Sequence, residues 1–133
     1  MNLIAIDIGN TNIKVAFYLD DQEVFLKKAN ESDGDIAGVL TEILTECWDR
    51  VPLVESAKEP VKNCVFAASS VRPEWTEMVR EIIKEEFGQK LAVVGVDIPL
   101  PIETAVDDAL AVGTDRLITA AAAYAVVEDA VIV

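Results

Sequence analysis

The sequence contains no histidine, so the side chain that most often transfers protons near neutral pH is missing. Any proton transfer must therefore be carried out by aspartate, glutamate, lysine or tyrosine. Cysteine is scarce as well, since Cys47 and Cys64 are the only two in the chain. Two cysteines without histidine are a poor set of zinc ligands, and a zinc site is therefore disfavoured.

Basic residues are also few. The chain has 11 lysines and arginines against 24 aspartates and glutamates, which gives a formal net charge of −13. Nucleic acids and anionic membranes bind basic surface patches, so this charge argues against both as partners. An anionic small molecule is still compatible with it, provided that backbone amides, a lysine or a bound cation form a local positive site.

Long apolar runs and an export signal are lacking too. No run approaches the length of a bilayer-spanning helix, and the start MNLIAID has neither the basic residues nor the cleavage site of a signal peptide. We therefore expect a cytoplasmic protein whose two cysteines stay reduced and are buried as small hydrophobic residues. The length of 133 residues fits one domain with a substantial core.

The hydrophobic pattern predicts an element order of β-β-β-α-β-α-β-α, which favours an α/β fold with a sheet of mixed direction and helices on its faces. Ser32 or Asp33 is the predicted cap of the first helix, and residues 52–60 are predicted to be a polar connector. Residues 130–133 indicate a strand that is cut off as it begins, so we expect the chain to be the first half of a longer protein. The predicted strands are residues 2–8, 13–19, 23–29, 63–68 and 91–94, and the predicted helices are 34–48, 73–87 and 114–127.

The stretch DIGNTNIK, residues 7–14, begins at the end of the first predicted strand. Its acid, Asp7, would lie at the rim of the sheet, where a carboxylate can hold a hydrated magnesium ion. Gly9 allows close approach of the backbone to a ligand, the next three residues offer polar donors, and Lys14 adds a positive charge. An ordinary β-hairpin is the alternative, because Gly-Asn is a common turn pair. The residues predicted to bind phosphate and its metal ion are Asp7, Gly9, Asn10, Thr11, Asn12 and Lys14.

A second motif, VGTDR at residues 112–116, opens the helix predicted from Thr114. The dipole at the amino end of a helix favours an anion. Asp115 could accept the proton of a substrate hydroxyl, and Arg116 could bind a carboxylate or a phosphate. The alternative is a capped helix start with a surface ion pair.

A third motif, ASSVRP at residues 68–73, ends the fourth predicted strand. Ser69 and Ser70 could contact a ligand. A simpler interpretation is that a serine caps the helix that begins at Pro73.

Together and in this order, the three motifs resemble those of type III pantothenate kinases, which belong to the acetate and sugar kinase/Hsp70/actin superfamily. DIGNTNIKVAF resembles the family's first phosphate motif, ASSVRP its Ser-Ser-Val-x-Pro turn, and VGTDRLITAAAAY its Gly-x-Asp-Arg helix. The resemblance covers essentially the whole chain. Family proteins are longer and continue into a second phosphate motif, Asp-x-Gly-Thr, so we expect the chain alone to be nearly inactive.

The resemblance implies that residues 1–133 form one ribonuclease H-like (actin-like ATPase) domain, the first of two, with a mixed five-stranded sheet and helices on both faces. It implies an enzyme that uses ATP to phosphorylate the primary hydroxyl of pantothenate, the opening step of coenzyme A synthesis. Residues 7–14 would bind the ATP phosphates with Mg²⁺, held by Asp7. The family also implies a monovalent cation, K⁺ or NH₄⁺, and a homodimer. The pantothenate site would be lined by Gly113, Thr114, Asp115 and Arg116, with Asp115 as general base.

Two positions depart from the family pattern. Val106 and Ala109 stand where the family commonly has a tyrosine and a proline before the Gly-x-Asp-Arg motif. This difference leaves two alternatives open. One is a related kinase that acts on another small hydroxyl compound, and the other is a non-catalytic accessory protein that binds nucleotide.

Overall fold

The chain forms a five-stranded mixed sheet in a computed structural model that describes residues 2–20, 22–55, 59–94 and 96–97. The strand order in this sheet is β3-β2-β1-β6-β7, and β4 and β5 form a separate two-stranded ribbon. The elements are β1 (Leu3–Ile8), β2 (Asn12–Leu19), β3 (Gln22–Asn30), a 3₁₀ turn (Glu31–Asp33), α1 (Ile36–Arg50), β4 (Leu53–Val54), β5 (Val61–Lys62), β6 (Val65–Ser70), α2 (Pro73–Phe87) and β7 (Leu91–Val93).

The central strand of the sheet is β1, all of whose residues are buried. It pairs antiparallel with β2, and β2 pairs antiparallel with β3, as expected for a meander of closely spaced strands. On its other side β1 runs parallel to β6, which in turn runs parallel to β7. The predicted mixed five-stranded sheet is therefore confirmed. Because β1 and β6 are parallel, their carboxyl ends meet at the same edge of the sheet.

The two faces of the sheet are packed differently. Both helices, α1 and α2, cover one face and build the main core with it. The opposite face carries a small cluster of Leu3, Ala5, Ala16 and Ala67. The third predicted helix and the strand predicted at residues 130–133 lie outside the described residues. The buried residues of the main core that come from β1, β2, α1 and α2 are Ile4, Ile6, Ile8, Ile13, Val15, Phe17, Leu40, Ile43, Leu44, Cys47, Trp75, Val79 and Ile83.

The predicted cap of α1 is wrong. The helix begins at Ile36, and the side chain of Asp35 caps it by accepting a hydrogen bond of 3.0 Å from the amide of Gly38. Ser32 and Asp33 lie instead in the preceding 3₁₀ turn. Gly34 has a φ of +90°, a conformation that L-residues rarely adopt, and it separates this turn from the helix.

The prediction for α2 is confirmed at both ends. Proline at position 73 occupies the first turn, where its missing amide is not needed. Gly88 follows the helix with a φ of 63°, and its amide bonds back to the carbonyl groups of Ile83 and Lys84.

The connector predicted at residues 52–60 contains an element that the sequence did not indicate. Leu53–Val54 pairs antiparallel with Val61–Lys62. Strands of two residues are too short to show the alternation from which strands are predicted. The ribbon is tied to α1 by Lys62, whose ammonium group donates to the carbonyl of Trp48 and lies 5.3 Å from the centre of its ring.

Cys47 and Cys64 are free thiols; Cys47 is buried and Cys64 is half-buried. Burial raises the pKa of both thiols to about 12, because it disfavours the thiolate. Both residues therefore behave as small hydrophobic side chains rather than as nucleophiles. In the part of the chain that the structure describes, no helix is long and apolar enough to span a bilayer.

Candidate active site

Three polar side chains lie in a row across three neighbouring strands near the carboxyl end of β1. The strand register pairs Asp7 with Lys14 on β2 and with Ser69 on β6. Paired residues on adjacent strands point to the same face of a sheet, which here is the face opposite α1 and α2. We refer to Asp7, Lys14 and Ser69 as the polar row. Asp7 is 6% exposed and Ser69 is 2% exposed, so a carboxylate and a hydroxyl are held in a largely desolvated place.

The turn between β1 and β2, residues 9–12, lies directly beside the polar row. The amide of Gly9 donates to the carbonyl of Asn12 at 3.0 Å, which closes the turn. A Cβ atom at position 9 would lie 3.2 Å from that carbonyl oxygen, so a larger residue there would crowd the closed turn. Asn10 and Thr11, at the tip of the turn, are exposed. Their polar groups are therefore available to a ligand.

Two further hydrogen bonds fix this turn from outside. The carbonyl of Thr11 accepts from the amide of Glu31 at 2.9 Å. The carbonyl of Asn10 accepts from the guanidinium of Arg72 at 2.8 Å. The turn is thus attached to the 3₁₀ turn after β3 and to the start of α2. These contacts join the turn to two other parts of the fold in addition to its own hairpin.

The site matches what a magnesium–phosphate complex needs. Mg²⁺ in nucleotide sites is usually held by one or two carboxylates, by phosphate oxygens and by water, rather than by an all-protein cage. Asp7 supplies one carboxylate, and within residues 2–20, 22–55, 59–94 and 96–97 no cluster of three or more histidine, cysteine, aspartate or glutamate side chains is found. The donor set fits a metal ion that arrives with a phosphate ligand.

Ser69 is a functional candidate that the sequence indicated only weakly. Its hydroxyl is buried and has no hydrogen-bond partner among the described residues. Leaving a buried polar group without a partner costs about 1–3 kcal/mol, so such groups are rare in folded proteins. Since the hydroxyl lies next to Asp7 in the register, a bound ligand or water is a natural partner for it.

The neighbouring Ser70 has a structural role instead. Its hydroxyl oxygen accepts hydrogen bonds from the amide of Arg72 at 3.1 Å and from the hydroxyl of Thr76. The formal cap of α2 is Arg72, without a side-chain capping bond, so the predicted serine cap is wrong. Ser70 nevertheless organises the turn that leads into the helix.

These contacts predict opposite results for two alanine substitutions. Ser70→Ala removes three hydrogen bonds, since the hydroxyl also donates to the carbonyl of Arg72 at 3.3 Å. The substitution should lower the free energy of unfolding by about 1–2 kcal/mol. Ser69→Ala removes a hydroxyl without a described partner and should leave that free energy unchanged or slightly higher. Urea unfolding of both purified variants measures the difference, and an equal loss of stability in the two would contradict these roles.

The remaining predicted site residues lie outside the described residues. These are Gly113, Thr114, Asp115 and Arg116, together with the two departures from the family pattern, Val106 and Ala109. Of the predicted phosphate-binding residues, the structure brings together all six, from Asp7 to Lys14, on one hairpin.

A family model described as type III pantothenate kinase matches residues 3–133. A type III pantothenate kinase of Oleidesulfovibrio alaskensis is 32% identical over 120 residues, which covers 88% of this chain and 43% of that protein. Another, from Nitratidesulfovibrio vulgaris strain DP4, is 29% identical over 134 residues and is matched over 97% of this chain and 47% of its own length. The chain therefore spans less than half the length of these curated relatives.

Among solved structures, the chain is similar to an Aquifex aeolicus PPX-GPPA enzyme with a TM-score of 0.39 and 18% identity, over 71% of this chain and 36% of that one. A TM-score below 0.5 is too low to support an inference about function.

Proposed function

Because the chain belongs to the type III pantothenate kinase family, we propose that the whole protein transfers the terminal phosphoryl group of ATP to pantothenate. The primary hydroxyl oxygen of pantothenate forms the new bond to phosphorus, and the bond between phosphorus and the β–γ bridging oxygen breaks. The products are 4'-phosphopantothenate and ADP, and this is the first step of coenzyme A synthesis. The observation that carries the proposal is the family match over residues 3–133.

The hairpin of β1 and β2 would bind the phosphates. Phosphoryl transfer depends mainly on positioning and on neutralising the charge of the phosphates. Asp7 would hold Mg²⁺ through its carboxylate, while the turn at residues 9–12 and the ammonium group of Lys14 bind phosphate oxygens. Bound Mg²⁺ supplies positive charge, which a protein with a net charge of −13 otherwise has little of.

The acceptor alcohol would be bound by residues 113–116. Asp115 would take the proton of the attacking hydroxyl, and Arg116 would pair with the carboxylate of pantothenate. Residues 1–133 contain no histidine, so within this part of the protein a carboxylate is the natural base. A monovalent cation (K⁺ or NH₄⁺), a homodimer and a cytoplasmic location belong to the same proposal.

The test is to incubate the intact natural protein with ATP, Mg²⁺, K⁺ and pantothenate and to detect the product by mass spectrometry. We expect 4'-phosphopantothenate and ADP in equal amounts, with little product when Mg²⁺ or K⁺ is omitted. No phosphorylated pantothenate under any of these conditions would defeat the proposal.

Val106 and Ala109 motivate two alternative functions. If the acceptor is another small hydroxyl compound, a panel of such compounds would include one that is phosphorylated faster than pantothenate. If the protein is a non-catalytic accessory factor, calorimetry would show tight nucleotide binding without any turnover of acceptor.

A further inference from the structure

Arg72 connects the turn at residues 9–12 to the start of α2. Its Nη1 atom donates to the carbonyl oxygen of Asn10 at 2.8 Å. The other two guanidinium nitrogens contact carboxylates: Nε lies 2.7 Å from Glu74, and Nη2 lies 3.4 Å from Glu31. The guanidinium carbon lies 3.7 Å from the centre of the Trp75 ring. All three nitrogens are thus engaged, and the side chain has a defined orientation.

The charge of Arg72 is compensated within this cluster. Glu31 and Glu74 place two carboxylates on one guanidinium, and the Arg72 side chain lowers the pKa of Glu74 through their hydrogen bond. A guanidinium paired in this way adds little positive potential for a polyanion. Arg72 therefore influences the candidate site through its hydrogen bond to the uncharged carbonyl group of Asn10 rather than through its positive charge.

That contact sets the direction of a neighbouring amide. The described peptide bonds contain no cis bond, and in a planar trans peptide the C=O of one residue and the N–H of the next point in opposite directions. Trp75, on which Arg72 stacks, belongs to the core on the helix-covered face. The carbonyl of Asn10 is directed toward the guanidinium of Arg72. The amide of Thr11 therefore points away from Arg72.

We propose that Arg72 is a positioning residue that fixes the Asn10–Thr11 peptide, so that the Thr11 amide, which points away from Arg72, can donate to a phosphate oxygen of a bound nucleotide. The ligand class is the phosphate chain of a nucleoside di- or triphosphate, and the inference rests on the proposed function of this site. Backbone amides that are fixed in advance bind phosphate without the entropic cost of ordering the loop.

The test measures ADP affinity by calorimetry, with Mg²⁺, in the intact natural protein. Arg72→Met keeps an apolar stem over Trp75 but removes all donors, and we expect it to weaken ADP binding about tenfold, the effect of roughly one good hydrogen bond. Arg72→Lys can still donate to the carbonyl of Asn10 but lacks the planar guanidinium, so its loss of ADP affinity should be smaller than that of Arg72→Met. The affinity for pantothenate should not change in either variant.

Arg80→Met is the matched control. Arg80 also lies on α2, but it contacts the carbonyl of Leu91 and the carboxylate of Asp97, away from the turn. The ADP affinity of Arg80→Met should equal that of the unchanged protein. A second readout is the NMR order parameter of the Thr11 amide in the ligand-free protein, which should fall in Arg72→Met and not in Arg80→Met.

Wild-type ADP affinity in folded Arg72→Met would overturn the inference. If that variant does not fold, Arg72→Leu, which also lacks a donor, takes its place, and wild-type ADP affinity with an unchanged Thr11 order parameter in Arg72→Leu would overturn the inference. A protein that binds ADP but does not phosphorylate pantothenate would end the proposed function and leave the role of Arg72 standing. If the protein binds no nucleotide at all, both the proposed function and the proposed role of Arg72 are wrong.

Discussion

Asp7→Asn should reduce the rate of phosphoryl transfer by about 100- to 1000-fold, the range seen when one preorganised electrostatic contact to a transition state is lost. The substitution keeps the size and planarity of the side chain, so the buried end of β1 should remain packed. It removes the carboxylate that we propose holds Mg²⁺, on a residue that is 6% exposed. Titration of activity and of ADP binding with Mg²⁺ measures the effect, and both should require more metal ion.

Asp20→Asn is the matched control for this substitution. Asp20 follows β2 at the opposite end of the hairpin from the turn at residues 9–12, is exposed and has a φ of 49°. Asparagine adopts that conformation readily, so the fold should be retained. Its activity should equal that of the unchanged protein. Unaltered activity and Mg²⁺ dependence in Asp7→Asn would show that the polar row does not bind the metal–phosphate complex.

The hairpin could be predicted from the sequence because its signals are local. β1 is an apolar run that ends in an acid and a glycine, and the acid therefore had to lie at the rim of the sheet. α2 was predicted to the residue because Pro73 and Gly88 mark its two ends with side-chain chemistry that few other residues share. The cap of α1 was missed because four acids or hydroxyls, Glu31, Ser32, Asp33 and Asp35, precede the helix. The sequence alone does not indicate which of them lies directly before its first turn.

The contacts of Ser69 and Arg72 could not be predicted from the sequence, because they join distant parts of the chain. Ser69 lies beside Asp7 only through the parallel register of β1 and β6. Arg72 reaches a carbonyl 62 positions earlier in the sequence. Periodicity and local motifs carry no information about such a register, so the sequence does not distinguish the two serines of the ASSVRP motif. In the structure, Ser70 accepts a hydrogen bond from the amide of Arg72, whereas the Ser69 hydroxyl has no partner among the described residues.

Asp115→Asn should reduce kcat by about 100- to 10,000-fold if Asp115 is the general base, the usual range for a positioned acid or base. The chain has no histidine that could replace it. Asparagine can still accept a hydrogen bond from the substrate hydroxyl but cannot take its proton, so KM for pantothenate should change little. Steady-state kinetics of the intact natural protein with pantothenate as the varied substrate would measure both constants.

The same variant separates the two halves of the proposed site. Because Asp115 is assigned to the acceptor alcohol, Asp115→Asn should bind ADP and Mg²⁺ as tightly as the unchanged protein, whereas Asp7→Asn should not. Asp108→Asn, in the same part of the sequence, serves as the control and should retain its activity. Full activity in Asp115→Asn would show that another group takes the proton, and lost ADP binding there would place Asp115 at the phosphates. If Asp115→Asn binds ADP normally but has a strongly reduced kcat, proton transfer is assigned to Asp115. If Asp7→Asn in contrast binds ADP weakly, the metal–phosphate complex is assigned to the hairpin of β1 and β2.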